Sequence, residues 1–141
     1  MFTVLVCRAC CCGTAKHPGF DHDAQIDRIS AAIAGQPGAR VRIVGCLDVC
    51  SRSNVIVVRD RRPESDPNRR ATWLGRIVDD ASTDALCAWL ADGGPASSLP
   101  SSLVAHRFDG PHRDVPRDLR EEDADQPRRL LPLHVAGGGA T

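Results

Sequence analysis

Six of the seven cysteines in this 141-residue chain fall into two tight groups: Cys7, Cys10, Cys11 and Cys12 in CRACCCG, and Cys46 and Cys50 in GCLDVC. Crowded thiolates are the donors that a soft metal centre takes. Taken together, Cys7, Cys12, Cys46 and Cys50 read C-x4-C, a 33-residue gap, then C-x3-C. Four thiolates are the full ligand set of a 2Fe–2S cluster, which must be gripped from two sides because each iron takes two terminal ligands. Cys10 or Cys11 could stand in for Cys12. Tetrahedral zinc accepts four thiolates equally well but favours C-x2-C knuckles; Cys7-x2-Cys10 is one and Cys46-x3-Cys50 is not. On these residues zinc or copper binding stays open, and so does a thiol–disulfide role for Cys7-x2-Cys10. The latter wants a helix starting at its second cysteine to lower the nucleophile's pKa, and CCCGTAKHPG begins one poorly.

The other chemistry-bearing residues have plainer readings. Cys87 falls beside Leu86 and Trp89 in an expected helix, where a free cysteine behaves as a small apolar side chain. His17 and His22 flank the first cysteine group and could each replace a thiolate on one iron, although both also suit an ordinary loop or helix entry. Asp79 and Asp80 precede a helix and suit its dipole, and nothing completes a catalytic acid–base pair with them. Arg59, Arg61, Arg62, Arg69 and Arg70 line a long polar excursion, either a solvated arm or a docking surface for an acidic partner. Trp73 and Trp89 are expected in the core. There is no glycine-rich phosphate loop, no Ser-His-Asp order and no nucleotide fingerprint, so no enzymatic activity is expected.

Four strands and two helices would position the cysteines. Residues 2–6 (FTVLV) form a short apolar, β-branched run that suits a buried strand, and residues 7–22 make the first cysteine loop. Asp21 or Asp23 can cap a helix over 23–34 whose Ile26, Ile29 and Ile33 share one face. Residues 39–44 (ARVRIV) alternate as a strand with one wet face and lead into the second cysteine loop. Strands follow at 54–59 and 72–78, with a polar excursion between them, and Ser82 is expected to cap a last helix over 83–91. If the first two strands are parallel neighbours joined by a right-handed crossover, both cysteine loops leave the same sheet edge.

Composition bounds the rest. Lysine plus arginine and aspartate plus glutamate both number 18, which points to neither nucleic acid nor a membrane surface as partner. No apolar run approaches a membrane span, and the N-terminus lacks the features of a signal peptide. Clustered cysteines of this kind then suit a cytoplasmic location. The expected domain covers residues 1–94. Residues 95–141, rich in Pro, Ser, Arg and Asp, are expected to be an extended or disordered tail, with Leu99, Leu103, Val104 and Phe108 able to pack a short piece of it onto the domain.

The motifs VLVC-x4-C, GCL-x2-C, the NVIVV strand and WLGRIV, in β-α-β-β-β-α order over residues 2–92, resemble the thioredoxin-like 2Fe–2S ferredoxins. Relatives of that family include the small 2Fe–2S subunit of NADH dehydrogenase. The resemblance implies an α/β, thioredoxin-like fold with a mixed four-stranded sheet and an irregular C-terminal tail. It implies Cys7, Cys12, Cys46 and Cys50 as ligands, a ferredoxin role in one-electron transport to or from a partner oxidoreductase, and a homodimer by analogy. The family usually has glycine at the position of Asp48 and proline at that of Asn54, and Cys10 and Cys11 are extra. A thiolate-bound cluster is anionic and becomes more so on reduction, so Arg8 and Arg52 and the N–H groups of both turns would raise its potential while Asp48 would lower it. A metal-sensing module, with Cys10 and Cys11 as spare thiols, is the alternative from another class.

Overall fold

The structure, a computed structural model, describes residues 1–8, 12–14, 16–47, 49–66 and 70–110; the side chain of Cys50 also lies outside what is described. Strand β1 (Phe2–Cys7) is buried along its whole length, as its continuous apolar run requires. Helix α1 (His22–Ile33) is capped by Asp21, whose carboxylate accepts the Ala24 N–H. Strand β2 (Ala39–Val44) then pairs parallel with β1, with Cys7 opposite Val44. Strand β3 (Ile56–Asp60) runs antiparallel along the other side of β1, and β4 (Ala71–Leu74) runs antiparallel to β3. Helix α2 (Asp80–Ala91) follows.

The result is α/β with a mixed sheet, but the sheet has five strands, in the order β2-β1-β3-β4-β5. The fifth, β5 (Arg107–Phe108), pairs antiparallel with β4 and sets Phe108 against Trp73. It is reached through a 3-10 turn at Gly94–Ala96 and the short helix α3 (Ser101–Val104). Leu103 of α3 is fully buried in the main core. The boundary expected between 94 and 95 therefore falls inside the folded unit. Too few apolar positions recur in 95–108 to announce an element, yet one buried leucine and two strand residues suffice to seat the segment. The remainder of the expected tail, 111–141, lies outside the described residues.

Several elements are shifted by a residue or more from their expected bounds, and for two of them the structure shows what sets the boundary. Helix α2 starts at Asp80, capped by Asp79 and not by Ser82: the Asp79 carboxylate accepts both the Ser82 N–H at 2.8 Å and its hydroxyl at 2.6 Å. Strand β4 stops at Leu74 because Arg76 adopts a left-handed conformation, φ 57°, and its N–H turns to the Arg52 carbonyl.

The sheet divides the core in two. One face, with Phe2, Val4, Val6, Ile56, Val58 and Leu74, packs against Ile29 and Ile33 of α1 and Leu86, Trp89 and Leu90 of α2. Arg28 of α1 also reaches Asp80 and Asp84 of α2. The other face carries Leu5, Cys7, Val44, Val55, Val57 and Trp73, with Cys12 and Leu47 packed among them. Both tryptophans are buried, as expected.

Candidate metal centre

Parallel pairing of β1 with β2 sends both cysteine-bearing loops off the same end of the sheet. The strand ends are tied there by two backbone bonds: the Arg8 N–H donates to the Val44 carbonyl at 3.0 Å, and the Cys7 N–H donates to the Val55 carbonyl at 3.2 Å. Side chains alternate along a strand, so Cys7 points away from the helices into the second half of the core, where Cys12 joins it. Each is only 2% exposed.

The two thiols interact directly. Cys7 hydrogen-bonds to Cys12, and that bond, helped by burial and by the charge on Cys12, pushes the Cys7 pKa far up. The same bond draws the Cys12 pKa down to about 7 against the opposing effect of burial. The Val55 N–H, 3.4 Å from the Cys12 sulfur, and the charges of Arg8 and Lys16 act in the same downward sense. The Leu47 N–H donates to the Cys7 sulfur. One proton thus leaves the pair readily and the second is held, as expected for adjacent anions in a buried site.

Arg8 leaves the same rim toward α1. Its Nη1 donates to the Cys7 carbonyl at 2.9 Å, and its Nη2 donates to the His22 carbonyl at 3.2 Å and to Gln25 Oε1 at 2.7 Å. Among the described residues, the Arg8 Nε–H is buried with no hydrogen-bond acceptor. Burial lowers the Arg8 pKa, and the charges on Cys12 and Cys7 oppose that. Gln25, itself fully buried, is braced by donating to the Ile77 carbonyl at 2.9 Å and to Thr83 Oγ1 at 3.1 Å. The charges on Cys12 and Cys7 act on this partly buried guanidinium, which has a reason to be there if those thiols are ionised.

The first loop is pinned by residues that sequence reading passed over. Asn54, fully buried, accepts the Gly13 N–H on Oδ1 at 2.7 Å, and its Nδ2 donates to His22 Nδ1 at 2.9 Å. The opposite ring nitrogen of His22 donates to the Thr14 carbonyl at 3.2 Å. Both His22 nitrogens are therefore engaged and neither is left for a metal. His17 Nε2 lies 2.8 Å from the Ser53 hydroxyl, and burial together with Lys16 and His22 lowers the His17 pKa. His22 therefore does not stand as a thiolate substitute. One signal was available beforehand: Gln25 is a polar residue four positions before Ile29, on the apolar face of α1.

The second loop is more open. Gly45 and Cys46 are exposed, whereas Leu47 is buried and anchors the turn. Cys46 lies close enough for its charge to act on Cys7. Residues Cys50–Arg52 form a 3-10 turn. Arg52, expected beside the second cysteine pair, instead lays its guanidinium over the Phe108 ring, 4.5 Å from the centroid. Cys10, Cys11, Asp48 and the Cys50 side chain lie outside the described residues. Among the described residues, no three His, Cys, Asp or Glu side chains gather closely enough to hold a metal ion by themselves; the structure brings Cys7 and Cys12 together, with Cys46 near. Two buried thiols, N–H groups aimed at their sulfurs and a partly buried cation whose charge acts on them fit an anionic thiolate-bound centre.

Elsewhere the expected features fall away from this rim. The arginine-rich excursion leaves the opposite end of the sheet, where the Asp60 N–H meets the Arg70 carbonyl and the Arg61 N–H meets the Met1 carbonyl. Arg62 there grips Asp60, N to O 2.7 Å; Arg69 lies outside the described residues. Six residues of β1 separate that end from the cysteines, roughly 20 Å at the usual rise. Cys87 is half-buried in α2 against the main core, and burial raises its pKa. No described helix is long and apolar enough to cross a membrane.

Comparison with family models, curated proteins and solved structures found no match for the chain.

Proposed function

We propose that the protein is a small ferredoxin-type one-electron carrier that holds a 2Fe–2S cluster through Cys7, Cys12, Cys46 and Cys50 on a thioredoxin-like sheet. One observation carries the reading: two buried, mutually hydrogen-bonded thiols stand at the rim from which the Cys46 loop also departs, within the electrostatic reach of a partly buried arginine. The strand order β2-β1-β3-β4, with α1 linking the parallel pair and both long helices on one face, supports the thioredoxin-like part.

When bound, the cluster supplies one-electron oxidation and reduction. The chain's own residues do the rest. Cys12, drawn toward thiolate, and Cys7 provide one half of the grip; Cys46 and Cys50 provide the other. Arg8 and the Val55 and Leu47 N–H groups offset negative charge on sulfur, which favours the reduced state. Val44, Leu47, Val55 and Trp73 keep water from the first pair. Exposed Cys46 marks the side a partner oxidoreductase would approach. A cytoplasmic location goes with this reading, and a homodimer rests on the family resemblance alone.

Anaerobically purified protein is expected to be red-brown, to contain about two iron and two sulfide per chain, to bleach with dithionite and to give an EPR signal once reduced. Colourless protein that takes up one zinc per chain under the same reconstitution would overturn the proposal.

A further inference from the structure

We infer that Asn54 is a positioning residue that selects Cys12, out of three consecutive cysteines, as the partner of Cys7; this rests on the metal-centre reading above and deepens it. Asn54 and Val55 hold two consecutive residues of the first loop. The Asn54 side chain takes the Gly13 N–H at 2.7 Å, and the Val55 N–H meets the Cys12 sulfur at 3.4 Å. Val55 also fixes the other thiol, since its carbonyl accepts the Cys7 N–H at 3.2 Å. From its second side-chain atom Asn54 steadies His22, and His22 steadies Thr14, so the loop is held on both sides of the glycine.

Gly13 makes that register exclusive. Its φ is +72°, a conformation that side-chain-bearing residues resist, and a Cβ there would run into Cδ of Arg8. Arg8 cannot easily give way, being bonded to the Cys7 and His22 carbonyls and to Gln25. If Cys11 slid into the place of Cys12, Cys12 would occupy the glycine position and its Cβ would meet Arg8. If Cys10 slid there, Cys11 would meet the same obstacle. Only the cysteine directly before a glycine fits, and Asn54 is the group that recognises that glycine's N–H.

The test uses the full-length, metal-free, reduced protein, with iodoacetamide as probe and tandem mass spectrometry to separate the cysteines. In the native chain Cys12 should be slow. In Asn54→Ala it should react roughly tenfold faster, the factor that one buried hydrogen bond supplies, while Cys7 and Cys87 keep their rates. Asn54→Asp, which retains an acceptor for the Gly13 N–H, should restore protection. If the alanine variant does not fold, Asn54→Ser gives the same reading, because its hydroxyl stops short of Gly13 but leaves a polar group in the buried site. An unchanged Cys12 rate in a folded variant would overturn the inference. So would a joint rise of Cys7, Cys12 and Cys87, which signals general loosening. Iron and sulfide reconstitution of the native chain is run in parallel: no uptake there sinks the metal-centre reading, while the alkylation pattern still decides the role of Asn54.

Discussion

The two cysteine loops leave the same rim of one sheet, yet one is closed over and the other stands open. In the first, Cys7 and Cys12 are buried, share a hydrogen bond and are pinned through Gly13, Asn54, His22 and Arg8. In the second, Gly45 and Cys46 face solvent, while Leu47 and, in part, Val49 pack into the core. A fold that pre-forms one half of a thiolate site meets part of the ordering cost before any ligand arrives. On the proposed function, the open half is where both cluster and partner would approach. The difference teaches that two candidate ligand pairs need not have equal roles: the first pair belongs to the core as much as to the site.

The sharpest way to break this comparison is to remove one sulfur from each loop. Cys7→Ser and Cys46→Ser should both abolish iron binding. Only Cys7→Ser should also weaken the metal-free protein, by about 1–3 kcal/mol for a buried hydroxyl without matched partners, whereas Cys46→Ser should stay within about 0.5 kcal/mol. Iron content and urea unfolding measure the two effects. Equal losses of stability would mean that the loops are alike after all.

A second substitution asks whether the frame carries both loops together. Leu103→Ala empties a fully buried position in α3 and should cost about 2–5 kcal/mol, with iron per folded chain unchanged. A cost near zero would show that the segment after residue 94 is not part of the folded unit.

Thiol accessibility sharpens the contrast directly. In the metal-free reduced chain Cys46 should react with iodoacetamide about a hundredfold faster than Cys12, because reaching Cys12 requires a local opening of a few kcal/mol. Accessibility outweighs the lowered Cys12 pKa here. Similar rates would refute the buried-versus-open description.

The smallest effect concerns the cap of α2, Asp79, which among the described residues bonds to neither cysteine pair. Asp79→Ala should cost about 1 kcal/mol as a lost helix cap and leave the Cys46-to-Cys12 rate ratio untouched. Bonds from the Ser82 hydroxyl and N–H hold the Asp79 carboxyl below its ordinary pKa. Its contribution is therefore complete above the unfolded-state carboxylate range and fades as pH falls through the lower folded-state value. The stability difference between native and variant chains should shrink in acid; a difference that grows on acidification would show the sign to be wrong.

Much of this molecule can be read locally. Continuous apolar runs mark β1 and β3, alternation marks β2 and period-3.6 patterns mark α1 and α2, because each buries one face or both and the signal is written within a few residues. The grouping of cysteines after β1 and β2 points to the site for the same reason, since strands deliver whatever follows them to a sheet edge. What the chain could not announce depends on partners far apart in sequence. Asn54 meets Gly13 across 41 positions, Arg8 finds Gln25 across 17, and Gln25 finds Thr83 across 58. Likewise, β5 exists only because β4 offers an edge, and the arginine-rich arm lies far from the cysteines only because β3 runs antiparallel to β1. Local periodicity determined which segments would be helix or strand. Tertiary packing decided which thiols are buried, which polar groups hold them and which loop stays open, because a hydrogen bond or a buried charge has meaning only once its distant partner is in place.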